Sequence, residues 1–196
     1  MKPTFTVIAG INGAGKTSLY RVLNGCIDFG DRVNTDEIAL ELCPENPSSS
    51  DVQVRAGKLA VRKIRDCIAA RKSFHIETTL PGNAIFKYMV KASEHGFYVI
   101  LLFVGIDDIN VALDRVHRRK ANGGHGIADD YIIKRFGSIN DNLKKILPVS
   151  DEAYIYDNTV KLRQIAVIKS GKVVDCDAHQ PYWFMRLIDN QVDSNV

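Results

Sequence analysis

An α/β fold with a mostly parallel sheet flanked by helices is predicted by three observations. Apolar runs of strand length alternate with segments of helical period along most of the chain. A glycine-rich loop follows the first apolar run immediately. The 196 residues, 45% of them hydrophobic, suffice for one sizeable core, so 1–196 reads as a single domain.

The elements follow in order. The first strand spans about Thr4 to Ala9, and a helix runs from Lys16 to roughly Leu23. A short strand near Arg32 to Asn34 leads into a helix that starts at Asp36 and stops before Pro44. After the loop Pro44 to Ser50, a long helix capped by Ser50 or Asp51 ends near Lys72, with Ala56, Leu59, Ala60, Ile64, Cys67 and Ile68 as its buried stripe. The third strand is Phe74 to Glu77, a helix covers Asn83 to His95, and Phe97 to Val104 is a doubly buried central strand. Two helices, Asp107 to Ala121 and Ala128 to Leu147, flank the break Asn122-Gly-Gly-His-Gly126. Tyr154 to Tyr156 is the last parallel strand, and Gln164 to Lys169 with Lys172 to Val174 alternate as a C-terminal β-hairpin. The final residues Asp193 to Val196 are expected to fray.

Composition narrows the function classes. A net charge of +3 and a pI near 8.6 demand no nucleic-acid partner, and the basic residues of the long helix lack interleaved aromatics. Cys26, Cys43, Cys67 and Cys176 form no CxxC or Cys/His cluster and read as buried or idle thiols in a reducing compartment. The longest apolar run, Phe97 to Ile106, is half a membrane span, so a cytoplasmic protein with no membrane partner is expected.

The loop carries the chemistry. Gly10-Ile-Asn-Gly-Ala-Gly15-Lys16-Thr17 matches GxxxxGK[ST] at every fixed position, which assigns the chain to the P-loop NTPases. Glycines let backbone N–H groups converge on phosphates, the lysine reaches the β and γ phosphates, and the threonine hydroxyl serves Mg²⁺. The nucleotide set is thus Gly10, Asn12, Gly13, Ala14, Gly15, Lys16, Thr17 and Ser18, for ATP or GTP.

Phosphoryl transfer also needs a group that receives the acceptor's proton and cations on the migrating charge. Asp36 follows the second strand, at the carboxyl edge where such sheets bind ligands, and qualifies as the base; it, or Thr35, could also cap the next helix, a role compatible with the first. Glu77 ends the third strand beside the phosphate loop, placed for the metal shell or the substrate. Arg115, Arg118 and Arg119 stand at i, i+3 and i+4 on one helical face, and Arg135 lies on the returning helix. Paired glycines between two basic helices fit a closing lid over about 107–136, although surface pairing with Asp114 or Asp129 would also explain the arginines. His125 fits a hinge-capping residue better than a ligand.

Ile8 to Thr17, Val33-Asn-Thr-Asp36, Ile76-Glu77-Thr78 and Arg115-Val-His-Arg118-Arg119 through Gly123-Gly-His125 to Arg135 together resemble the zeta toxin family of P-loop kinases. The resemblance spans about Phe5 to Asn158. It implies a nucleoside-kinase-like fold and transfer of phosphate to a sugar hydroxyl of UDP-N-acetylglucosamine or a similar small molecule, with an antitoxin protein as partner. Carried over, it implies Asp36 as base, Lys16 on the phosphates, Glu77 and Thr78 toward substrate or metal, Arg118 and Arg135 as catalytic, and Arg115 and Arg119 as substrate-binding. The alternative is a nucleotide-dependent switch or ATPase binding module without a small-molecule acceptor. An acceptor base separates the two.

Overall fold

The computed structural model describes residues 2–123 and 126–192. Gly124, His125 and Asp193 to Val196 lie outside the described residues. The chain order is β1 (Thr4–Ala9), α1 (Lys16–Leu23), β2 (Asp31–Val33), α2 (Thr35–Leu42), α3 (Ser50–Ala69), β3 (Phe74–Thr78), α4 (Ala84–Glu94), β4 (Tyr98–Gly105), α5 (Ile109–Ala121), α6 (Asp129–Ile146), β5 (Glu152–Asp157), β6 (Arg163–Lys169), β7 (Lys172–Cys176) and α7 (Tyr182–Val192). One seven-stranded sheet runs β2-β3-β1-β4-β5-β6-β7. The first five strands in that order are parallel; β6 and β7 add antiparallel.

Unbroken apolar runs form the middle of the sheet because those strands are covered on both faces. Phe5, Val7, Ile8 and Ala9 of β1 are all inaccessible to solvent, as are Val99 and Leu101 of β4. At the amino ends of the strands, Phe5 stacks on Phe74 at 4.3 Å and Phe97 meets Phe74 edge-on at 5.9 Å. Each such buried ring contributes about 1.5–3 kcal/mol, and the cluster makes a stiff base opposite the carboxyl ends. β1 sits between β3 and β4, so the chain leaves its carboxyl end at the switch in strand order where open α/β sheets bind ligands.

Several boundaries differ from the sequence reading. Helix α2 begins at Thr35 and is capped by Asn34, whose side-chain oxygen accepts from the N–H groups of Asp36 at 2.9 Å and Glu37 at 3.5 Å. Neither Asp36 nor Thr35 is the cap. Ser49 caps α3. Leu59, expected in the buried stripe of α3, is exposed, while Val52 takes a buried place. Helix α7 was not anticipated; Trp183, Phe184 and Leu187 bury against the sheet. Of the cysteines, Cys67 is buried and Cys26 and Cys176 are exposed. Among the described residues no helix is long and apolar enough to cross a membrane.

Candidate active site

The strand-to-helix turn after β1 owes its shape to glycine. Gly10 has φ 148° and Gly15 has φ 107°, backbone that side chains rarely adopt. A Cβ on Gly10 would run into the Val104 carbonyl of β4, and one on Gly15 into the Asn158 amide just past β5. The loop therefore nests between the carboxyl ends of two neighbouring strands. Asn158 locks it there by donating from Nδ2 to the Ala14 carbonyl at 2.7 Å.

Lys16 opens α1 and folds its ammonium back onto the loop, donating to the carbonyls of Gly10 at 2.9 Å and Ile11 at 3.1 Å. Burial pushes its pKa down to about 8; Glu77 and Asp36 oppose the shift, and Arg119 and Arg135 reinforce it. Glu77, Asp36, Arg119 and Arg135 thus share one field with the loop lysine, although they come from β3, α2, α5 and α6. Thr17, in the first turn of α1, donates its hydroxyl to Glu77 Oε2 at 3.2 Å.

The other predicted residues differ in burial and in their partners. Asp36 is exposed in the first turn of α2, with its backbone N–H held by Asn34. Thr78 is buried, and its hydroxyl accepts from the Leu80 N–H at 3.0 Å. That bond, with Asn142 donating to the Leu80 carbonyl at 2.9 Å, holds Leu80 at φ 53°. It is the neighbouring Thr79 whose hydroxyl meets Arg135. Arg115 turns inward, donating to the carbonyls of Gly13 and Thr159, each at 3.4 Å. Arg118 is exposed, and the Arg119 charge acts on Lys16. Asp129 pairs with His117 at 2.8 Å rather than with an arginine of this face. Asn12 and Ser18 sit on the loop and the first turn of α1.

Three features escaped the sequence reading. Arg32 of β2 donates from Nη2 to Glu77 Oε1 at 2.7 Å. Asn158 and Thr159 form the rim beyond β5 that touches the loop and Arg115. Helix α7 anchors that rim: Trp183 Nε1 donates to Asp157 Oδ1 at 3.1 Å, the Thr159 hydroxyl donates to the same oxygen at 2.7 Å, and the Trp183 N–H donates to Asp107 at 2.7 Å. A polar pair at the carboxyl end of an apolar strand, Asn158-Thr159, was the available signal.

The residues fit a magnesium ion. Thr17 and Glu77 offer hard oxygen donors side by side, and no described cluster of three or more His, Cys, Asp or Glu could hold a metal by itself. One or two protein oxygens plus substrate phosphates is the donor set Mg²⁺ prefers.

No family model matches the chain. An uncharacterised protein of Haemophilus influenzae is 35% identical over 127 residues, 65% of this chain and 88% of that protein. Among solved structures, a chain from the PezAT chromosomal toxin-antitoxin system of Streptococcus pneumoniae superposes with a TM-score of 0.66 at 16% identity, covering 98% of this chain and 85% of that one. The AvrRxo1-ORF1:-ORF2 complex with ATP gives 0.66 at 16% identity over 96% of this chain, which spans 63% of the matched chain. At such identity the structures report fold. The chain therefore belongs to the family of the Haemophilus influenzae protein, and its fold is that of the zeta toxin-like P-loop kinases.

Proposed function

We propose that the protein is a kinase that transfers the γ-phosphate of ATP or GTP to a hydroxyl of a small molecule. The observation that carries this reading is the convergence of Lys16, Asp36, Glu77, Arg119 and Arg135 on the phosphate loop from five separate elements. A nucleotide-binding switch needs the loop and a metal oxygen; it has no use for an exposed carboxylate across from them. A structure of the same fold determined with ATP supports the nucleotide.

In this reading Lys16 leaves the Gly10 and Ile11 carbonyls for the β and γ phosphates, which restore the charge that burial disfavours. Thr17 and Glu77 hold Mg²⁺, which supplies charge neutralisation on the triphosphate when bound. Asp36 orients the acceptor hydroxyl and takes its proton as the acceptor oxygen bonds to the γ phosphorus and the bond to the β-phosphate oxygen breaks. Arg119 and Arg135 stabilise the transferring group, Arg118 standing at the rim, and the 107–136 region closes as a lid within a single 1–196 domain. Arg115, tied to Gly13 and Thr159, braces the nucleotide side. A sugar nucleotide such as UDP-N-acetylglucosamine is the acceptor the family resemblance favours. A protein partner of the antitoxin kind is supported by the toxin-antitoxin system whose chain shares this fold.

The test is a metabolite pool incubated with γ-labelled ATP and wild-type protein or Lys16→Ala. Label appearing on one small molecule with wild type alone is the expected result. ATP binding with no labelled product would favour the binding module instead.

A further inference from the structure

β2 and β3 run side by side with Arg32 opposite His75, so the two side chains share one face of the sheet. Glu77, two residues beyond His75, shares it as well. Tyr20 of α1 covers this face: the Arg32 guanidinium lies 4.3 Å from its ring centroid, and His75 stacks on it at 5.0 Å. His75 is buried, and its ring also packs against Phe29 at 5.3 Å. The imidazole and phenol rings thus make a packed platform against which the guanidinium lies.

From that seat the guanidinium works in two directions. Nε donates to both Glu37 oxygens, at 2.8 and 2.9 Å, in the first turn of α2. Nη2 donates to Glu77 Oε1 at 2.7 Å, and the other Glu77 oxygen receives the Thr17 hydroxyl. One side chain therefore connects the helix that carries Asp36 to the carboxylate beside Thr17. The Glu37 contact is half exposed and contributes little stability by itself. The Glu77 contact is largely buried, and a planar fork fixes direction as well as charge.

We propose that Arg32 is the positioning residue of this site: by occupying one oxygen of Glu77 it aims the other at Thr17 and Mg²⁺, and by holding Glu37 it sets the first turn of α2 and thus Asp36. The proposal rests on the kinase reading above. It predicts that the geometry of the fork matters beyond its charge, so lysine at 32 cannot replace arginine.

The test measures ATP affinity by calorimetry with and without Mg²⁺, alongside the melting temperature without ligand, for wild type, Arg32→Lys and Arg32→Gln. Groups that orient a metal ligand affect metal affinity about 10–100-fold, so both variants should lose at least about tenfold of the affinity that Mg²⁺ adds. Metal-free ATP binding should stay within about threefold of wild type, and Arg32→Lys should melt near the wild-type temperature. A wild-type magnesium response in Arg32→Lys would overturn the positioning role while leaving the kinase reading intact. Wild-type protein that binds no ATP at all would overturn the kinase reading and this proposal with it.

Discussion

The two sides of the phosphate loop differ in how their charged groups are joined. On the β2–β3 side, Arg32, Glu37, Glu77 and Thr17 form one continuous chain of side-chain contacts. On the α5–α6 side the contacts are separate: Arg115 donates to the carbonyls of Gly13 and Thr159, Arg135 meets the Thr79 hydroxyl, and His117 pairs with Asp129. The first side is set in place. The second is held by local contacts, and the contrast teaches that a single substitution on the first side reaches several groups of the network while one on the second reaches its own pairing.

The largest expected effect comes from the centre shared by both sides. Lys16→Ala should abolish transfer, a loss of about a thousandfold or more, because nothing else on the loop brings charge to the β and γ phosphates. The melting temperature should hold or rise, since a desolvated ammonium is removed. Wild-type triphosphate affinity in that variant would defeat the loop assignment.

Next in size are the arginines, which sharpen the α5–α6 side. Arg119→Ala and Arg135→Ala should each cost about a hundredfold in turnover, and Arg118→Ala no more than about threefold. A greater loss at Arg118 than at Arg119 would reverse their roles. Hydrogen exchange should slow across the described parts of 107–136 when nucleotide and acceptor bind, and remain nearly unchanged over β2 and β3, whose contacts pre-exist.

A pH series probes the centre again. The Lys16 ammonium of the empty protein loses its proton as pH passes about 8, whereas phosphate charge favours the protonated form. Binding above that pH therefore takes up a proton, and triphosphate affinity should fall by up to about tenfold per pH unit. The same depressed pKa means the unfolded chain holds the proton up to its ordinary value of 10.5, so empty-protein stability gains from this group as pH rises between about 8 and 10.5. Lys16→Met should flatten both slopes, and slopes that persist would assign them to another group.

The smallest effect belongs to the set side. Asn34→Ala removes the cap of α2 and should lower stability by about 1 kcal/mol, or about 2–4 °C in melting temperature. A wild-type melting temperature would show that the cap does not hold the helix.

Much of the molecule was legible because local pattern determined it. The run Thr4 to Ala9 followed by the glycine loop placed β1, the loop and α1, and continuous apolar residues marked β4 as central. What escaped depends on partners distant in sequence. Arg32 reads as an ordinary strand residue until Glu77, 45 positions away, is seen beside it. Thr78 and Thr79 are indistinguishable in sequence; the left-handed turn at Leu80 decides which hydroxyl is buried. Helix α7 has a short stripe and no charged caps, and only Gly105, whose missing side chain leaves room for the Trp183 ring, shows where it docks.

The central claim is that Asp36 receives the acceptor's proton, and Asp36→Asn tests it most directly. Asparagine keeps the size of the side chain and leaves the Asn34 cap untouched, so folding is preserved. Triphosphate binding, melting temperature and phosphate transfer are measured on one preparation of the variant beside wild type. The account predicts unchanged binding and melting with transfer reduced by about a hundredfold or more. Transfer near the wild-type rate would contradict it and move the base to another group, Glu77 first.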